Sequence, residues 1–177
     1  MNEARLERTE YGLAPVEEGW FAVNVRDAAW MTGEHFGSAC VFEGGPDFPQ
    51  VGYTLAVLQP GQPSALYHWE GDQEDFLVLY GECLAIVEEQ ERPLRQWDFL
   101  HCPGGTRHIF VGAGDGPCVI FMVGGRAHRR SGVYPRSEVA LRHGAGVETE
   151  TADPKVAYGP FPGWRPGAPS FEGLPFA

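Results

Sequence analysis

No stretch of the 177 residues stays apolar long enough to cross a bilayer as a helix. The N-terminus, Met1-Asn2-Glu3-Ala4-Arg5-Leu6-Glu7-Arg8, lacks the apolar segment of a secretion signal. A cytoplasmic protein is therefore expected. Basic residues are scarce: 13 Lys and Arg stand against 24 Asp and Glu, a formal charge of -11. Binding to phosphate backbones or anionic lipid needs clustered cations, so nucleic acid and membrane are excluded as partners. One small basic patch, Arg126 with His128, Arg129 and Arg130, reads as a solvated loop. Cysteines are few, and none pair as Cys-x-x-Cys. Cys40, Cys83, Cys102 and Cys118 each sit in or beside an apolar run, which suits reduced, buried small hydrophobes. The sequence also lacks a nucleophile signature, a phosphate-cradling glycine loop and a dinucleotide fingerprint.

Glycine and proline are abundant, at 24 and 15 residues. They cut the chain into short pieces and favour strands and turns over long helices. Strand candidates are Trp20–Val25, Gly37–Glu43, Val51–Leu58, Ser64–Glu70, Asp75–Tyr80, Cys83–Val87, Leu94–His101, Thr106–Val111 and Pro117–Val123. Several are apolar at every position, as expected when both faces are covered. Asp27–Met31 reads as a short helical turn. Pro135–His143 reads as a helix capped by Ser137 and stopped by Gly144. The class is all-β, a sandwich or closed barrel. Residues 1–19 form an N-terminal arm and residues 20–124 the core. Residues 125–177 form an extension whose aromatics pack on the core or on a partner.

Two clusters carry the chemistry. In Tyr67-His68-Trp69-Glu70, His68 and Glu70 are two apart on a strand and share a face. Glu74 follows a turn at Gly71-Asp72 and can fold back toward them. The second cluster, Pro103-Gly104-Gly105-Thr106-Arg107-His108, aims His108 inward from a tight reversal. Two imidazoles and two carboxylates make a divalent-metal set: His68, Glu70, Glu74 and His108. If one glutamate stays unbound, two histidines and one carboxylate remain, with open positions suited to iron and oxygen chemistry. Taken singly, each has an alternative use. Glu70 could lie at the rim or pair with Arg107. His101 could orient a ligand or lie on the outer face, and Cys102 reads as inert.

These clusters resemble the two signature motifs of the cupin superfamily. The first is matched by Gly61, His68, Glu70, Glu74 and Gly81, with Gly61 one residue further upstream than the pattern. The second is matched by Pro103, Gly105 and His108. The resemblance covers the central third of the chain. It implies a cupin-type jelly-roll β-barrel with N- and C-terminal extensions, a homodimer, and one bound metal. Glu70 stands where the family usually has a second histidine. That harder ligand set tilts preference from copper toward iron, manganese, zinc or nickel. The implied function is a metal-dependent oxygenase or isomerase acting on a small organic molecule. The alternative is a metal-free small-molecule-binding or sensor module.

Overall fold

Apolar residues recurring through short, turn-bounded segments leave the backbone little choice but to pair strands. The computed structural model describes residues 1–128 and 131–176. Its strands are β1 (Leu6–Arg8), β2 (Leu13–Pro15), β3 (Ala29–Thr32), β4 (Ser38–Val41), β5 (Val51–Leu58), β6 (Trp69–Glu70), β7 (Glu74–Tyr80), β8 (Glu82–Val87), β9 (Gln90–Arg95), β10 (Phe99–Cys102), β11 (His108–Ala113), β12 (Cys118–Gly125), β13 (Gly132–Val133) and β14 (Arg165–Pro166). Two one-turn helices complete it, α1 (Glu138–Arg142) and α2 (Pro154–Tyr158). Among the described residues no helix is long and apolar enough to cross a membrane.

The fold is mostly β. A seven-stranded antiparallel sheet runs in the order β10-β7-β12-β5-β4-β3-β14, and a three-stranded sheet in the order β11-β8-β9. The pairs β1-β2 and β13-β6 stand apart. The ladders form these separate sheets, so their pairing describes facing walls and not one continuous closed barrel. Phe76, Val78, Ala56, Leu58 and Ile120 of the large sheet meet Cys83, Ala85 and Phe110 of the small one in a shared core. Each large apolar side chain buried there contributes roughly 1.5–3 kcal/mol.

Several segments depart from the sequence expectations. The helical turn expected at Asp27–Met31 is replaced by β3, which pairs with β4 and buries Trp30. Cross-strand partners outweigh local helix signals in so short a segment. Trp20–Val25 is not a strand: only Trp20 makes an isolated bridge, to Glu3. Of Ser64–Glu70, only Trp69–Glu70 is ladder-paired. The strand expected over Leu94–His101 is split by a turn at residues 96–98 that leads into β10, and its first two residues end a largely polar strand, β9. β9 is joined to β8 by a two-residue turn, Glu88-Glu89, both at positive φ (47° and 64°). α1 is capped as expected: the Ser137 hydroxyl accepts from the Ala140 N–H at 3.0 Å, and Gly144 takes φ +65°.

The last residues pack on their own chain. β14 pairs with β3, Trp164 stacks on Phe36 at 4.8 Å, and Phe171 meets Trp30 at 5.9 Å. α2 goes beyond the sequence expectations. Asp153 caps it by accepting from the Lys155 N–H at 2.8 Å, and Pro154 supplies the fixed φ of a first turn.

Candidate metal centre

His68 and His108 face each other across an antiparallel bridge. His68 N–H donates to the His108 carbonyl at 3.2 Å, and His108 N–H returns the bond to His68 at 2.8 Å. Directly opposed residues of an antiparallel pair send their side chains to one side. The rings consequently sit 5.1 Å apart by centroid. Each ring is pinned by its own backbone. Nδ1 of His68 donates to the Leu66 carbonyl at 2.7 Å, and Nδ1 of His108 to the Thr106 carbonyl at 3.0 Å. Such bonds fix the tautomer and leave both Nε2 lone pairs for a ligand.

Glu74 opens β7 and comes from the opposite sheet. Its carboxylate lies 3.3 Å from His108 Nε2. One ligand atom each from His68, Glu74 and His108 falls within 4.8 Å of the others. Burial pushes the Glu74 carboxyl up to about 8, helped by Glu70 and Asp72. Burial also lowers both imidazoles, His108 to about 4 with His68 adding to the effect. Neutral imidazoles beside a carboxylate that lacks a cation among the described residues are the donor set a divalent ion fits. Bound charge at the centre would hold Glu74 ionised against its desolvation.

Glu70 lies outside this trio. It is half exposed, with one oxygen 3.9 Å from His68 Nε2, and it pairs through β6 with β13. Arg107 reaches Glu88 at 3.9 Å. His101 is exposed, with Nδ1 2.7 Å from Asp75. The four cysteines are buried and free, and burial pushes the Cys102 thiol up to about 12.

The trio opens into a cavity of about 640 Å³ between the sheets. Cross-strand register sets its floor in rows. Glu74 on β7 faces Gly124 on β12, which faces Gly52 on β5. Continuing the β4-β5 register two residues brings Glu43 beside Gly52. The next row is Phe76, Met122, Thr54 and Val41, and below it the floor is wholly apolar. Arg126, expected in a solvated loop, instead lays its guanidinium across the bare backbone of Gly52. A Cβ there would meet Nη2 at 2.5 Å. Arg126 forks onto both Glu43 oxygens and donates to the Phe48 carbonyl at 2.7 Å. Arg129 and Arg130, the other arginines of the expected patch, lie outside the described residues. The sequence signal that could have found Arg126 and Glu43 is the pair of glycines interrupting β-rich runs at 52 and 124.

Residues 54–124 match the family model described as a cupin domain. No curated protein matches the chain. One similar solved structure is a sugar phosphate isomerase from a cupin superfamily, from Silicibacter pomeroyi DSS-3. It is 24% identical with a TM-score of 0.53, over 60% of this chain and 76% of that one. The polyketide cyclase RemF from Streptomyces resistomycificus is 16% identical with a TM-score of 0.52, over 61% and 80%. Streptomyces PAC13, solved with uridine, is 13% identical with a TM-score of 0.51, over 65% and 89%. Identities this low carry the fold alone. Residues 54–124, which contain His68, Glu74 and His108, are thus the part of the chain that matches a cupin domain, and the similar solved structures share its fold.

Proposed function

We propose that this cupin is a metal-dependent enzyme acting on a small organic molecule. His68, Glu74 and His108 hold one divalent ion, and Glu70 moves a proton in an isomerase-type reaction. The observation carrying this reading is the convergence of the three ligand atoms within 4.8 Å in the wall of the cavity. The ion, iron, manganese, zinc or nickel, would supply Lewis-acid polarisation of a substrate oxygen. The chain does the rest. The Leu66 and Thr106 carbonyls orient the imidazoles, the apolar rows exclude water, and Glu70, 3.9 Å from His68, is the carboxylate left over to take a proton. The reading takes the facing sheets as walls of a cupin-type jelly roll and places the protein in the cytoplasm.

A second reading, oxygenase, is favoured by the trio itself, since two histidines and one carboxylate suit iron and oxygen. Oxygen consumption during turnover separates the two.

The test is elemental analysis of untagged protein beside three variants. Near-stoichiometric metal is expected in the wild type. His68→Ala and His108→Ala should lose it, and Glu70→Ala should keep it while turnover falls by about 100-fold or more, the scale of a lost general base. Wild-type protein without metal after supplementation would turn the reading to a metal-free binding or sensor module.

A further inference from the structure

The cavity carries three carboxylates, Glu43, Glu70 and Glu74, against one cation among its described lining residues, Arg126. That cation is already engaged. Its terminal nitrogens hold both oxygens of Glu43, and the same carboxylate also accepts from the Phe48 N–H. A bidentate Arg–carboxylate pair, itself largely buried, offers little net charge to a ligand. Recognition of a phosphoryl group requires uncommitted cations or backbone N–H groups. Among the described residues this floor supplies neither: its centre is the Cα of Gly124, where an added Cβ would touch only Glu74, at 3.6 Å. The space over Gly124 is therefore open. On the floor it is bounded by Glu74 on one side, the guanidinium over Gly52 on the other, and Met122 and Thr54 beneath.

We infer that the subsite over Gly124 takes an uncharged, ring-sized compound with a hydroxyl or carbonyl oxygen at the end facing His68, Glu74 and His108, and that the Glu43–Arg126 pair excludes phosphorylated ligands by holding the cavity's cation out of use. The inference rests on the proposed function for which end of the ligand faces the trio. The charge preference of the floor is independent of it.

The experiment is calorimetric titration of the as-purified protein with two matched pairs of probes, catechol against phenyl phosphate and ribose against ribose 5-phosphate. In the wild type at least one uncharged probe binds, and it binds more tightly than its phosphorylated counterpart. Gly124→Val fills the floor and abolishes that binding. Glu43→Gln releases Arg126, and the phosphorylated probes gain about tenfold or more in affinity. Equal or tighter binding of the phosphorylated probes by wild type overturns the inference. So does no binding of either uncharged probe at millimolar concentration, or no gain in Glu43→Gln when circular dichroism shows that variant folded. The same titrations on His68→Ala separate the two readings. Unchanged binding of the uncharged probe by His68→Ala, with the charge preference intact, removes the trio from the ligand's surroundings and leaves the subsite.

Discussion

At the scale of single residues, the centre and its neighbour pair behave as opposites. Among the described residues Glu74 is buried without a cation and is pushed toward its neutral form, whereas Glu43 is held below the usual carboxylate range, first by its hydrogen bond to Arg126. The sign for Glu43 is direct. Its folded value lies below the ordinary 4.5, so its contribution to stability is complete above that value and is lost as pH falls through the folded one. Acid titration of the wild type, followed by circular dichroism, should show a loss of stability starting near pH 4.5 that Glu43→Gln lacks. An unchanged acid limb in the variant would show that the pair adds nothing to folding. The residues of the trio are legible in the sequence because their spacing is local: His68 sits six residues before Glu74, and His108 closes a Pro-Gly-Gly turn. Glu43 and Arg126 are not legible there. They lie 83 positions apart and meet only through the register of β4, β5 and β12.

At the scale of elements, the long interior strands announce themselves. Val51–Leu58 has the same limits in sequence and structure, and β7, β8 and β12 agree within two residues. Apolar runs between glycines and prolines suffice for that. β3, most of β9 and α2 escape because partners define them. Of the three, α2 reaches the centre. Its Tyr158 hydroxyl accepts from the Leu66 N–H at 3.3 Å, and the Leu66 carbonyl in turn holds His68 Nδ1. The Tyr158 ring also meets Tyr134, which lies 5.9 Å from the His68 ring. Tyr158→Phe removes one acceptor and should cost about 1 kcal/mol of stability. Because Leu66 is shared, metal affinity should also fall by about tenfold, the low end for loss of an outer-shell partner. A competition titration with a chelator reads this. Unaltered affinity with the same loss of stability would confine Tyr158 to packing.

At the scale of the whole molecule, the seven-stranded sheet ends in β10, which carries Phe99 at 62% exposure close to Trp97 at 68%. Exposed aromatics on an unpaired edge invite a second copy of the chain. A homodimer is therefore expected, with Phe99→Lys monomeric by light scattering. A wild-type monomer at micromolar concentration would exclude it. The Glu88-Glu89 turn works on the same scale. Positive φ at two successive glutamates costs about 1–3 kcal/mol each, and Asn-Gly is the pair that normally forms such a turn. Here the turn is held from outside. Glu88 N–H donates to the Arg107 carbonyl and Glu89 N–H to the Tyr67 hydroxyl, while Ser137 Oγ donates to the Glu89 carboxylate. Closing the β8-β9 hairpin therefore carries a local cost that these outside contacts offset, however near its strands lie in sequence. The expectation is that the hairpin is completed only with the segments around residues 67, 107 and 137, at the rate of distant contacts and late on the folding pathway. The double substitution Glu88→Asn with Glu89→Gly would make closure local again, and stopped-flow refolding should then quicken.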